Sequence, residues 1–280
     1  MKNSILRDYK QSTEYYQIDC FNFDEFILPD HKKEISHSFL EWFVGFSEVK
    51  AEFQIRGFES QTPAFEILDN DIQLLHKIRT TLGFGKITVY NQQCWKYSVR
   101  KHKWVNQLIH LFNGNFVLKN TLNKFNRWVN KQKKIPNFFF KQQCVKFSLR
   151  NAWFSGFIQA KAKFNASFSI NTYKKISNSV YFSISGNQTL CHEIEKLFMV
   201  TATFYHYQPK QYKIIFINLS AQKQLIDYLF NFPVFGQQYK TFYCWWRVYL
   251  YRQGQIKDPA VFLGKNKQQP YIFPLKQQKN

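Results

Sequence analysis

Two lysines stand at equivalent positions of a repeated segment, and they are the charged side chains whose spacing could do chemistry. Residues 42–53 read WFVGFSEVKAEF, and residues 153–164, 111 positions further on, read WFSGFIQAKAKF. The segments share Trp-Phe-x-Gly-Phe, then a Lys-Ala pair and a later Phe, which indicates that the chain is duplicated. Lys50 and Lys161 are the repeated lysines. Their ammonium groups attract anions and repel a metal cation.

The other reactive residue types form no pattern of a catalytic site. The five cysteines are dispersed without a Cys-x-x-Cys pair, so neither a zinc module nor a disulfide framework is indicated. None of the seven histidines forms a His-Glu-x-x-His spacing. The run from Gly83 to Lys86 lacks the spacing of a phosphate-binding loop, and no Gly-x-Ser-x-Gly turn occurs. We therefore expect no metal and no cofactor.

Both repeated segments resemble the LAGLIDADG motif of homing endonucleases and intron maturases. In that family the motif is a helix, its small residues let two copies pack together, and its last acidic residue binds the catalytic metal. The packing glycines correspond to Gly45 and Gly156, and the metal positions correspond to Lys50 and Lys161. A slip of the register by one residue would put alanine at the metal positions, and Glu52 could then supply an acid in the first copy only. The resemblance covers residues 36–251 and implies the single-chain, two-repeat form. Because both acids are lysine here, it implies a structural rather than a catalytic kinship.

The resemblance would bring Lys50 and Lys161 together at the bottom of the seam between the two motif helices. Two ammonium groups about 6 Å apart repel by roughly 3 kcal/mol at an effective dielectric of about 20. One hypothesis is that a phosphate lies between them, as an anion clamp. The alternative is that both lysines reach solvent or pair with Glu48 and Glu52. Neither arrangement offers the ligands of a hard cation, so we expect no nuclease activity.

Hydrophobic periodicity predicts an α+β fold of two αββαββα repeats. Beside the two motif helices, the first of which is predicted at 40–47, helices are predicted at 72–82, 103–112, 188–199 and 221–230. Strands are predicted at 52–56, 62–68, 86–90, 94–100, 162–170, 179–185, 201–207 and 212–219. The resemblance adds that the strands form two antiparallel saddle sheets, related by a pseudo-twofold axis, with the motif helices at the seam.

Alternation along the strands predicts a polar and an apolar face for each sheet. The side chains predicted to contact nucleic acid are Gln54, Arg56, Lys86, Lys96, Arg100, Lys163, Asn165 and Lys213. Those predicted to point toward the helices are Phe53, Ile55, Ile87, Val99, Phe164, Phe168 and Ile214. A half-solvated sheet is polar without any ligand, but no acidic residue lies between Asp71 and Glu193, which favours binding.

The predicted organisation has five segments. They are an acidic N-terminal extension (1–35), a first repeat (36–117), a basic linker (118–137), a second repeat (138–251) and a basic tail (252–280). The linker has helix-like periodicity and ends near Pro136, where proline would stop a helix. Its Lys119, Lys124 and Arg127 join the nucleic-acid-binding candidates.

The charge of the chain is strongly positive and unevenly distributed. The net charge is +21; residues 1–71 hold 14 acidic and 7 basic side chains, and residues 72–280 hold 4 acidic and 32 basic ones. Such an excess attracts polyanions, so nucleic acid ranks above anionic lipid or a merely soluble basic surface. The acidic segment is predicted to lie away from phosphates or to cover a basic surface of the protein itself.

The composition also bears on location. The chain has no run of 18 apolar residues, so no membrane span is expected. Residues 1–30 lack the pattern of a mitochondrial presequence or secretory signal. Heavy use of Phe, Lys, Asn, Gln, Ile and Tyr is typical of AT-rich coding, so we expect an organelle-encoded mitochondrial protein.

Together these observations predict a monomeric, catalytically inactive protein that binds structured RNA. The preferred hypothesis is an rRNA-binding component of an organellar ribosome, with ribosomal proteins as further partners. A group I intron maturase is the alternative. A DNA-cleaving homing endonuclease ranks last because of Lys50 and Lys161.

Overall fold

A computed structural model describes residues 21–56, 62–132, 138–141, 146, 148–170, 176–209 and 211–256. For Arg56 and Phe168, two of the predicted face residues, only the backbone is described, so their side-chain directions lie outside the described part. The chain divides into two compact units, residues 1–160 and 161–280.

The first unit combines a four-stranded sheet with helices. Its described elements are α1 (His37–Lys50), β1 (Ala51–Arg56), β2 (Thr62–Asp69), α2 (Ile72–Leu82), β3 (Lys86–Asn91), β4 (Cys94–Val99), α3 (His102–Phe112), α4 (Lys119–Asn130) and α5 (Trp153–Lys161). The strands are antiparallel, in the order β1-β2-β4-β3. Only the last residue of α5 belongs to the second unit.

The second unit repeats this architecture. Its described elements are β5 (Ala162–Ile170), β6 (Ile176–Gly186), α6 (Gln188–Phe198), β7 (Thr203–Gln208), β8 (Gln211–Phe216), α7 (Leu219–Asn231) and α8 (Gly236–Arg252). The strands are again antiparallel, in the order β5-β6-β8-β7. The predicted α+β fold of two repeats is therefore confirmed, and a further helix, α4 or α8, follows each αββαββα set.

Local signals in the sequence set the ends of the helices. The Ser36 hydroxyl accepts a hydrogen bond from the Phe39 N–H (3.3 Å) and begins α1. α1 passes directly into β1 because Ala51 already has extended backbone angles. The Asp71 carboxylate caps α2 by accepting from Gln73 and Leu74 N–H groups, and Gly83 ends it in the left-handed conformation (φ 81°).

The apolar face of each sheet packs against helices. In the first unit the Phe53 ring lies 6.1 Å from Phe112 and 5.1 Å from Trp128. In the second unit Phe164 lies 5.5 Å from Phe242 and 5.4 Å from Trp245. Val99, Phe164 and Ile214 are buried, as predicted for inward positions.

Helices α4 and α8 play matching roles in the two units. The Trp128 indole N–H donates to the Gln54 carbonyl at 2.9 Å, and the Trp245 indole N–H donates to the Tyr181 carbonyl at 3.0 Å. The segment predicted as a linker thus folds, over Lys119–Asn130, as a helix packed on the first sheet. Predicted linker residues 133–137 and tail residues 257–280 lie outside the described part.

The described end of the acidic N-terminal segment packs against α3 and its neighbours. Phe21, Phe23 and Phe26 are buried. The Glu25 carboxylate lies 3.0 Å from His110 Nδ1 and 3.1 Å from Lys141 Nζ. These contacts support the second of the two predicted roles, the covering of a basic surface of the protein itself.

The sequence predicts no membrane span, and the helices of the structure bear on this prediction. Across the described ranges, none of them combines the length and the apolar character needed to cross a bilayer.

Candidate nucleic-acid interface

The two motif helices, α1 and α5, meet at glycine within the first unit. A Cβ on Gly45 would collide with the carbonyl oxygen of Trp153, and a Cβ on Gly156 would collide with that of Trp42. Each glycine therefore lets the backbone of one helix touch the backbone of the other. The Ala152 N–H also donates to Glu41 Oε2 at 2.9 Å, which fixes the beginning of α5 against α1.

Glu48, the acidic residue of the first motif, is buried beside this contact. Its Oε1 accepts from the Val117 N–H at 2.6 Å and from the Trp153 indole N–H at 2.8 Å. Its Oε2 accepts from the Leu118 N–H at 2.7 Å. Burial raises the pKa of Glu48 to about 7, against the effect of these donors, which lower it. Glu48 thus joins α1 to α5 and to the segment that leads into α4.

Lys50 pairs with a residue that the sequence analysis did not select. Its Nζ lies 2.9 Å from Asp69 Oδ2, at the end of β2. The predicted pairing with Glu48 and Glu52 is wrong, because Glu48 is already held by backbone and indole N–H groups, and Glu52 accepts from Gln54 Nε2 at 2.7 Å. β1 and β2 pair with Ala51 opposite Ile67, and this register brings Asp69 to the end of α1.

The surroundings of Lys50 do not fit a hard cation. The Lys50 side chain is itself a cation, and the carboxylate beside it, Asp69, already binds its ammonium group. In the residues that the structure describes, no group of three His, Cys, Asp or Glu side chains could hold a metal ion. Lys161 is exposed at the end of α5. The phosphate clamp between Lys50 and Lys161 stays a prediction.

The polar face of the first sheet carries charges of both signs. Lys86, Lys96 and Ser98 share it with Gln54, and so do Glu52 and Glu66, which stand opposite each other on β1 and β2. Glu66 is only 3% exposed, with Lys96 Nζ at 3.8 Å and an Arg100 guanidinium nitrogen at 3.2 Å. The structure therefore brings Lys96 and Arg100 together on one carboxylate.

The polar face of the second sheet is free of acidic residues. Lys163 stands opposite Ser183, and Lys213 stands between Ser185 and Tyr205. The other side chains of this face are Asn165, Ser167, Ser179, Tyr181, Thr203 and Ile215. Strands β5 to β8 contain neither Asp nor Glu. This face combines two cations with many hydroxyl groups.

The basic residues of α4 lie elsewhere. Phe125 and Trp128 turn one side of α4 toward Phe53, so Lys119, Lys124 and Arg127 occupy its exposed side. The predicted binding residues hence fall into separate groups on the sheet faces and on α4.

Sequence reasoning missed Glu66 and Asp69 for different reasons. Glu66 lies on the same face of the sheet as Lys96, and the alternation of side chains along β2 could have identified it. Asp69 has no comparable signal, because its contact with Lys50 depends on the register of β1 and β2.

Comparison with known proteins identifies relatives of this fold. Residues 43–131 match the family described as LAGLIDADG endonuclease. A Neurospora crassa protein named probable intron-encoded endonuclease 4 is 28% identical over 224 residues, which cover 74% of this chain and 39% of that protein. An uncharacterized cox1 intron-2 37.2 kDa protein of Schizosaccharomyces pombe is 23% identical over 253 residues, 84% of this chain and 76% of that protein. The chain thus spans about two fifths of the length of the first relative.

Two solved structures share the fold. One is the meganuclease I-SmaMI bound to uncleavable DNA, with a TM-score of 0.62 and 14% identity. The superposition covers 79% of this chain and 91% of that chain. The other is the LAGLIDADG meganuclease I-AabMI bound to uncleaved DNA, with a TM-score of 0.60 and 15% identity. The superposition covers 77% of this chain and 92% of that chain. The architecture described above is the LAGLIDADG meganuclease fold.

Proposed function

We propose, with the LAGLIDADG endonuclease family as the premise, that this chain binds structured RNA and does not hydrolyse it. The observation that carries the proposal is lysine at both metal positions of the duplicated motif, with Lys50 fixed by Asp69 at 2.9 Å. Metal-assisted hydrolysis needs carboxylate ligands at this place. Lysine supplies a cation instead.

Glu48, the acidic residue of the first motif, does not supply the missing metal ligand. Both oxygens of Glu48 accept N–H donors, and the side chain is 7% exposed. Binding a metal would require these three hydrogen bonds to break, and two of their donors, the Val117 N–H and the Trp153 indole, are buried. Glu48 therefore acts as a structural residue.

The polar face of the second sheet supports RNA as the ligand. It presents Ser, Thr and Tyr hydroxyl groups around Lys163 and Lys213. Hydroxyl groups and lysines suit the 2′-hydroxyl and phosphate groups that dominate the recognition of RNA helices.

The names of the curated relatives refer to introns, and this favours an intron RNA over a ribosomal RNA. We therefore place the maturase role first and the role of an rRNA-binding ribosomal component second. The charge of +21 suits either RNA. A mitochondrial location belongs to the same proposal.

Crosslinking in a native extract, followed by sequencing of the attached nucleic acid, tests the choice of ligand. We expect reads from one structured RNA. Intron reads would support the maturase role, and reads from ribosomal RNA would support the ribosomal role.

A cleavage assay tests the absence of hydrolysis. The recovered sequence, as RNA and as duplex DNA, is incubated with the protein and Mg²⁺ or Mn²⁺. We expect binding without cleavage. Reads from a single DNA locus, combined with metal-dependent cleavage of that DNA, would overturn the proposal.

A further inference from the structure

A pocket of about 490 Å³ opens at one edge of the first sheet. Its walls come from the turn after α2, from the polar sides of β3 and β4, and from the beginning of α3. The lining residues are Gly83, Phe84, Gly85, Lys86, Thr88, Lys96, Ser98, Val99, Arg100, Lys101 and Trp104. We call it the Trp104 pocket. Its volume is in the range of pockets that hold small molecules.

The Trp104 pocket is positively charged. Four lining side chains are cations, and Glu66 pairs with two of them, Lys96 and Arg100. Lys86 and Lys101 are exposed. In the described part of the chain, neither of them lies in an ion pair with a carboxylate. The two lysines can therefore bind an anion from outside.

One wall of the pocket is a fixed aromatic ring. Trp104 stacks on Phe84, with ring centroids 5.0 Å apart and an angle of 4° between the planes. Phe84 is 5% exposed and is held in place, because the Tyr97 hydroxyl donates to its carbonyl at 3.0 Å. Lys103 Nζ lies over the Trp104 ring, 4.8 Å from its centroid, and 4.0 Å from Asp30 Oδ2. This exposed side chain covers the ring where a ligand would stack.

We propose that the Trp104 pocket receives one unpaired nucleotide of the bound RNA. The base stacks on Trp104 in place of the exposed Lys103 side chain, and the phosphate binds Lys86 and Lys101. The inference rests on the proposed function. Stacking of a base on an aromatic side chain, with cations along the backbone, is how unpaired nucleotides are held by proteins.

The position and lining of the pocket favour a nucleotide over a simple anion. Lys86, Thr88, Lys96 and Ser98 belong both to the pocket and to the polar face of the first sheet. A strand bound on that face would reach the pocket without leaving the protein surface. An inorganic anion needs the lysines but no aromatic wall, whereas a nucleotide uses both.

Two RNA hairpins provide the test at low ionic strength, where sequence-independent phosphate contacts support binding. One hairpin has a single-nucleotide bulge, and the other is fully paired. We expect wild-type protein to bind the bulged hairpin about 10-fold more tightly, as measured by fluorescence anisotropy. Trp104→Leu removes the stacking surface and is expected to abolish this preference while binding of the paired hairpin persists.

Matched variants separate the pocket from general effects on folding. Trp104→Phe keeps an aromatic face and is expected to keep most of the preference. Phe230→Leu removes an aromatic ring of the second unit that is 58% exposed, and it is expected to leave the preference unchanged. Adenosine monophosphate, added as a competitor, reports whether the pocket prefers a free nucleotide.

The outcomes distinguish the two proposals. If the protein binds both hairpins equally, or if Trp104→Leu retains the preference, the pocket proposal is overturned and the RNA-binding function stands. If neither hairpin binds, the proposed function fails. If adenosine monophosphate saturates the Trp104 pocket while no bulge preference exists, the site takes free nucleotides, and the assignment to a bound strand is overturned.

Discussion

Glu48 and Lys50 lie two residues apart at the end of α1 but have opposite environments. Glu48 is 7% exposed and accepts hydrogen bonds from two backbone N–H groups and one indole. Lys50 is partly exposed and pairs with Asp69. Lys50 is therefore part of a surface ion pair, while Glu48 is part of the core.

The pH dependence of stability should report on Glu48. Its pKa is raised from 4.5 to about 7 by burial, so the folded state binds the proton more tightly than the unfolded state does. The stabilisation is complete below about pH 4.5 and is lost as the pH rises to about 7. At 1.36 kcal/mol per pH unit, the loss is about 3 kcal/mol.

Urea unfolding of wild type and Glu48→Gln at pH 4.5, 6 and 7.5 measures this contribution. The glutamine cannot titrate, so the free energy of unfolding of the variant relative to wild type should improve by about 3 kcal/mol over this range. If the free energies of unfolding of the two proteins ran parallel with pH, Glu48 would not titrate in this pH range.

At the level of elements, the contact between α1 and α5 depends on two glycines. In an ordinary helix, replacing glycine with alanine stabilises by up to about 1 kcal/mol. At Gly45 and Gly156, however, the new methyl group would meet a backbone carbonyl of the other helix. Backbone atoms cannot rotate aside as a side chain can, so steric repulsion should outweigh helix propensity.

We expect Gly45→Ala and Gly156→Ala each to lower the free energy of unfolding by about 2 kcal/mol or more, measured by urea denaturation. Gly186→Ala, at the end of β6, is the steric control, because the three atoms nearest to its methyl group all belong to the Leu190 side chain, which can move. A gain in stability for either seam variant would contradict the close backbone contact.

The sequence predicted the elements well and the site less well. Strand and helix ends lie within three residues of the predicted ones, because alternation and capping are local signals. The pairing of Lys50 with Asp69 depends on strand register, which alternation alone does not fix. The role of α4 was missed because its cations are evident in the sequence, whereas the packing of Phe125 and Trp128 on the sheet is a tertiary contact.

At the scale of the whole molecule, positive charge is abundant and only part of it faces the proposed ligand. The net charge of +21 attracts any polyanion. Lys196 and Lys223 pair with Glu193 and Asp227 on helices α6 and α7, away from the strands. Binding of RNA at a local interface and diffuse attraction of RNA by the net charge therefore predict different effects of lysine substitutions.

The salt dependence of RNA binding separates these cases. Lys163→Ala with Lys213→Ala should reduce the slope of log K against log salt by about 1.4 to 1.8, because each phosphate contact contributes about 0.7 to 0.9. Lys196→Ala with Lys223→Ala removes the same charge and should change the slope little. Equal changes in both pairs would assign binding to net charge alone.

The packing of α5 on α1 also has a consequence for biosynthesis. Synthesis of α1 ends at Lys50 and that of α5 begins at Trp153, so at about 5–20 residues per second the ribosome needs about 5–20 s to connect them. Until then the nascent chain exposes the Gly45 side of α1, and Glu48 lacks its indole donor. The N-terminal repeat therefore cannot complete its native core before translation has entered the second motif.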